Sequence, residues 1–186
     1  MSKGNVQEKI LEAAMDLFHE GGFNATGVQD IVNAAGVPKG SFYNHFQSKD
    51  ALALAVVDRY LAATDTASLG DTTLAPFERI RRHFEELAKA ADANHFTRGC
   101  LVGNFANELS SQHPDMKHRL DEGFATWCER LAAVLEEVRP EAGGESARTR
   151  AASIIHAWEG AIMHSKVTGN RGPLDVFFAT SLPAFV

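Results

Sequence analysis

Apolar residues recur at spacings of three and four along almost the whole chain, and no stretch alternates with a period of two, so the pattern predicts an all-α protein. Val6, Ile10, Ala13 and Leu17 form the stripe of a first helix that Gly21-Gly22 ends. Thr26 followed by Gln29 has capping-box spacing and predicts a short helix that turns Val28, Ile31 and Val32 inward before Gly36 stops it. Pro38 suits the first turn of a second short helix, Lys39 to Phe46, because its missing N–H has no helical partner there. Ser48 caps the next, from Lys49 to about Ala63, with Leu52, Val56 and Tyr60 inward.

Beyond a loose segment from Thr64 to Thr73 the predicted helices lengthen: Pro76 to Ala91, Cys100 to Ser110, and Pro114 to Val138. The last carries a stripe of Leu120, Phe124, Trp127, Leu131, Leu135 and Val138. The run from Arg139 to Gly144 reads as a loop, and Ser146 to Val167 with Leu174 to Leu182 as a final pair of helices.

Composition narrows the function. With 186 residues, 45% of them hydrophobic, the chain can build one or two globular domains. Its longest apolar run, Ala51 to Val57, falls far short of the roughly 20 residues a membrane-spanning helix needs, so no membrane partner is expected. Glu8, Glu12, Asp16 and Glu20 interrupt any leader-like apolar core, which predicts a cytoplasmic location and reduced Cys100 and Cys128. No serine elbow or phosphate-binding glycine loop is present, and His19-Glu20-Gly21-Gly22-Phe23 lacks the second histidine of a zinc-protease pattern. The eight histidines are scattered. Neither catalytic residues, a metal nor a cofactor is expected.

Two short helices joined by a tight glycine turn, between Thr26 and Lys49, form a helix-turn-helix pattern whose second helix is free to enter a major groove. Between Asp30 and Asp50 lie nineteen residues without a carboxylate, holding Lys39, His45 and Lys49, in a chain of net charge −6. Against this, residues 1 to 60 carry five Lys or Arg and seven Asp or Glu, so binding must rest on a local patch that a dimer doubles. The same helices also suit an ordinary core, and a helical small-molecule-binding protein that has lost DNA binding is the alternative reading.

The stretch "VPKGSFYNHFQSKDAL", with the preceding residues from Thr26, resembles the DNA-binding region of TetR-family transcriptional repressors. The resemblance implies a helix-turn-helix DNA-binding domain over 1–48 and a helical effector-binding and dimerisation domain over 49–186. It also implies a homodimer on a double-stranded, near-palindromic operator, released by a small-molecule effector. By the same resemblance Thr26 and Tyr43 contact phosphates with His45 and Lys49 beside them, while Lys39, Ser41 and Asn44 face base edges. The chemistry suits these roles: hydroxyls and ammonium anchor the backbone, Asn can bond adenine bidentately, and Lys can reach guanine. Gly40 leaves room for close approach, and Phe42 and Phe46 read as core. Two copies should sit about one helical turn, roughly 34–36 Å, apart.

In the second half Phe84, Phe96, Phe105, Phe124, Trp127 and Trp158 lie on helices that would converge in a bundle, where apolar pockets form. These rings suit a core as well as a cavity. Arg98-Gly99-Cys100-Leu101 places a thiol in a first helical turn with Arg98 and His95 nearby, a setting that favours thiolate, although a small buried hydrophobe fits the position too. Cys128 reads as structural. "VPKGSF", "GCLVGN" and "HSKVTG" together resemble the branch of the family that contains NemR and AcuR. In its electrophile-sensing members the cysteine matching Cys100 is reactive and a lysine matching Lys166 lies near it. The resemblance thus implies a small-molecule or electrophile effector. Lys166 also suits a plain helix end, where its charge favours the macrodipole.

Overall fold

The computed structural model describes residues 3–63, 67–139 and 146–185, and among these every regular element is a helix. In chain order they are α1 (Lys3–Gly21), α2 (Val28–Ala34), α3 (Gly40–Tyr43), α4 (Lys49–Ala63), α5 (Ala67–Gly70) and α6 (Pro76–Ala93). Then follow α7 (Leu101–Leu109), α8 (Pro114–Val138), α9 (Ala147–Thr168), α10 (Gly172–Val176), a π-helical stretch Phe177–Ser181, and α11 (Leu182–Phe185). Of the expected loop Arg139 to Gly144, only Arg139 is among the described residues. The described part of the expected loose segment contains α5.

Packing divides the chain into two units, Met1–Ala63 with Leu101–Asp121, and Thr64–Cys100 with Glu122–Val186. Each unit is therefore discontinuous in sequence. In the first unit α1 packs against α2, α3, α4 and α7. Four neighbours require a broad apolar face, which is why Ile10, Ala14 and Phe18 are fully buried while Val6, Ala13 and Leu17 of the expected stripe are half-buried. Leu52, Ala53, Val56 and Val57 bury the inner face of α4, and Ser48 caps that helix by accepting the Ala51 N–H at 3.0 Å. Gly36, at φ +64°, ends α2, and Val37 N–H closes back onto Val32 C=O at 3.0 Å.

The second unit is centred on a cluster from α6, α8, α9 and the C-terminal helices that includes Ile80, Phe84, Leu131, Leu135, Ile154, Trp158, Ile162 and Phe177. Arg79 crosses within it, its Nε donating to the Leu69 carbonyl at 2.8 Å and its Nη1 to Glu137 at 2.8 Å. The final expected helix is one winding with a π turn inside it. Leu182 N–H bonds Phe177 C=O, five residues back, and this lets Phe177 and Leu182 share the buried face.

Candidate nucleic-acid interface and sensing core

In the first unit α2 and α3 are joined by the turn at Gly36, which gives two short helices in helix-turn-helix order. The cap of α2 is Gly27, not Thr26, and the reciprocal partner is Asp30, not Gln29: Gly27 N–H donates to Asp30 Oδ2 at 2.9 Å. Thr26 has another task. It is buried, and its hydroxyl donates to the Gly22 carbonyl at 2.7 Å, tying α2 to the end of α1.

The helix α3 is shorter than the expected Lys39–Phe46. Ser41 N–H bonds Pro38 C=O and Phe42 N–H bonds Lys39 C=O, three-residue spacings that tighten its entry, and Phe42 C=O takes both His45 and Phe46 N–H on exit. Phe42 and Phe46 are buried, as their spacing implies. Around them Lys39, Gly40, Tyr43 and Asn44 are exposed and Ser41 and His45 half-buried; Tyr43 is 61% exposed. A Cβ at Gly40 would meet nothing within 4 Å in the chain, so that space is open to a ligand.

Lys49 lies at the start of α4 with its ammonium on the α1–α2 turn. It donates to Phe23 C=O at 3.0 Å and Thr26 C=O at 3.1 Å, and sits 4.0 Å from the Phe23 ring centroid. Lys49→Ala should therefore lower the stability of this unit by about 2 kcal/mol, since two carbonyls lose charge-assisted donors. Urea unfolding followed by far-ultraviolet circular dichroism measures it. A salt slope for DNA that also falls by about 1 would assign a phosphate to the third N–H.

The second unit holds most of the expected sensing residues, but not all. Phe84 is the centre of a ring cluster, with Trp127, Trp158 and Phe177 centroids at 6.0, 5.2 and 5.1 Å. Phe96 is buried in the same core, and Phe124 packs against it. Phe105 does not join them: it lies on α7 in the first unit, 5.8 Å from Phe18 and 6.3 Å from Phe23. Its side chain is part of the first unit's core. Lys166 is half-buried in the last turn of α9.

His83 was not singled out by the sequence. It is buried beside Phe84, and Trp127 Nε1–H donates to its Nε2 at 2.9 Å, which places the ring proton on Nδ1. Burial drives its pKa down to about 4, against a smaller opposing effect of Glu86.

Cys100 stands just before α7 rather than within its first turn, and it is half-buried. The turn that delivers it is constrained, for both His95 and Phe96 adopt positive φ, 54° and 60°, a backbone region that side chains with a Cβ disfavour. The Cys100 thiol hydrogen-bonds Glu159 on α9. Burial pushes the Glu159 carboxyl above the usual range and the thiol's hydrogen bond partly offsets this; its Oε1 is buried without a hydrogen-bond partner. No spacing rule points to Glu159 from the sequence. Cys128 donates to the Arg148 carbonyl at 3.5 Å, and burial raises its pKa, a setting for an inert thiol. Among the described residues no three or more His, Cys, Asp or Glu gather where they could hold a metal ion, and no helix is long and apolar enough to cross a membrane.

Residues 10–56 match the family described as bacterial regulatory proteins, tetR family, and residues 76–179 match the C-terminal domain of LmrA/YxaF-like transcriptional regulators. The chain belongs to the TetR family. It is 32% identical to the HTH-type transcriptional repressor DhaR of Mycobacterium sp. strain GP1, over 100% of this chain and 95% of that one. It is 34% identical to the transcriptional regulator AcuR of Cereibacter sphaeroides, over 93% and 82%. The crystal structure of reduced Escherichia coli NemR superposes with a TM-score of 0.80 at 26% identity, covering 94% of this chain and 93% of that one. The likeness to NemR and AcuR thus extends over more than 90% of the chain. As a TetR-family member the chain is a DNA-binding transcriptional regulator of the helix-turn-helix class, and these relatives are named as regulators rather than enzymes.

Proposed function

We propose that the chain is a homodimeric repressor that reads a near-palindromic operator and leaves it when a small molecule occupies the aromatic core or an electrophile modifies Cys100. One observation carries the DNA half: Lys39, Gly40, Tyr43 and Asn44 stand exposed on and beside α3, over a buried Phe42 and Phe46 that hold it in place. In this reading Lys39, Ser41 and Asn44 face bases, and Tyr43, His45, Thr26 and Lys49 anchor the backbone, Thr26 through the turn it ties. Dimerisation is supported by exposed apolar residues on the last helices, Met163 at 60%, Val167 at 80% and Val176 at 60%. The location that goes with this role is cytoplasmic.

The sensing half rests on Cys100, whose thiol meets a buried carboxyl beside an aromatic cluster. Phe96, Phe124, Trp127 and Trp158 would line the effector site, with Lys166 at its helix end. Cys100→Ser should repress yet fail to respond to an electrophile. Normal induction of that variant would leave only a reversible ligand.

A gel-shift titration on duplexes selected from a random library tests the DNA half. Asn44→Ala should cost about 1–3 kcal/mol and relax discrimination at one base position per half-site. Equal losses on every sequence would remove Asn44 from base reading.

A further inference from the structure

The turn between α1 and α2 is held from two sides, and only one of them belongs to the helix-turn-helix and its following helix. Lys49 of α4 takes the carbonyls of Phe23 and Thr26. From α7 Glu108 takes the donors: its Oε2 accepts Phe23 N–H at 2.9 Å and its Oε1 accepts Asn24 N–H at 2.6 Å. Two parallel bonds into one carboxylate fix direction as well as distance.

The surroundings are shaped to this grip. Gly22 has φ +86°, and a Cβ there would stand 3.0 Å from Glu108 Oε2, so the close approach of the carboxylate and the backbone turn both call for glycine. Three residues before Glu108, on the same side of α7, Phe105 packs edge-on against Phe18 and Phe23. The His113 ring lies 5.5 Å from Phe23, and its Nδ1 is 2.5 Å from Asp50 Oδ1. Phe23 and Asn24 stand a few residues ahead of α2, so the direction of this turn governs how α2 and α3 leave α1. At its other end α7 begins at Leu101, next in sequence to Cys100.

We propose that Glu108 is a positioning residue for DNA reading, whose carboxylate ties the α1–α2 turn, and with it the presentation of α3, to the position of α7. The inference rests on the repressor reading above. A displacement of α7 then reaches the reading helix through two hydrogen bonds rather than through diffuse packing alone.

The test uses the full chain and a duplex that the wild-type protein selects from a random library. Glu108→Gln keeps the shape but sets an NH2 group against one of the two N–H donors. Its affinity should fall at least tenfold, with the DNA-active fraction in stoichiometric titration and the salt slope both unchanged. A purely structural role would instead lower the active fraction and leave the affinity of the remainder intact. Asn107→Ala, on the same helix and exposed, should bind as the wild type. Wild-type affinity in Glu108→Gln would overturn the proposal. Amide exchange in the wild type keeps the question decidable if that variant folds poorly or if no duplex is selected, the latter result sinking the repressor reading by itself. The Phe23 and Asn24 amides should exchange at least tenfold more slowly than in an unstructured chain, and unprotected amides would overturn the role of Glu108.

Discussion

Phe84→Ala should destabilise the second unit by about 3–5 kcal/mol, measured as a fall in the urea midpoint at fixed protein concentration. Phe84 is fully buried and touches Trp127, Trp158 and Phe177 at once, so truncation removes the shared wall of three rings rather than the edge of one. The neighbours come from three different segments, α8, α9 and the π-helical stretch, and all are constrained by their own packing. Collapse into the space is therefore limited and the cavity term stays large. Both tryptophans of the chain belong to this cluster, which makes their fluorescence a direct report of its unfolding. A loss below about 1.5 kcal/mol would mean that the rings close over the gap, contrary to this packing argument.

Acid should produce the second large effect. His83 is neutral in the folded state, its pKa brought by burial from 6.5 to about 4. The unfolded chain therefore binds the extra proton between these values, so stability is complete above about pH 6.5 and is lost as pH falls towards 4. The difference is worth about 3 kcal/mol between pH 7 and pH 4. Protonating Nε2 also breaks the bond from Trp127 Nε1–H. Glu159 acts in the opposite sense, for its raised carboxyl pKa makes its contribution fall as pH rises. Comparison with His83→Gln, which retains an acceptor for Trp127, cancels that background. The wild type should lose about 3 kcal/mol more than the variant over this range, and equal losses would show that His83 is protonated when folded.

The fold was legible because helices dominate it and their stripes are long. Leu52 and Val56 on α4, Leu120, Leu131 and Leu135 on α8, and the caps at Ser48 and Gly36 all follow from local spacing. Local rules also made the errors intelligible. Thr26 and Gln29 satisfy the capping-box pattern, but Gly27 and Asp30, one residue on, satisfy it with a bond that leaves the Thr26 hydroxyl for Gly22. The π turn was invisible because an i→i+5 bond leaves no compositional mark.

The candidate site was readable only where its parts lie close in sequence. The exposed face around α3 falls within one short segment. Phe105 shares its residue type with the sensing rings, yet its partners are Phe18 and Phe23, and nothing short of the tertiary fold sorts it from the others. Glu108 grips groups 84 and 85 positions away, and Glu159 meets Cys100 from another helix far along the chain. Such pairings carry no spacing signature.

Because Leu101–Asp121 completes the amino-terminal unit, the reading head is not a detachable module ending with α4. A hybrid regulator that took only residues 1–63 from this protein would bring Phe23 without Phe105 and the turn amides without Glu108. Specificity would transplant intact only if α7 and the first turns of α8 travelled with it, or if the recipient supplied an acid and an aromatic ring at the same two stations.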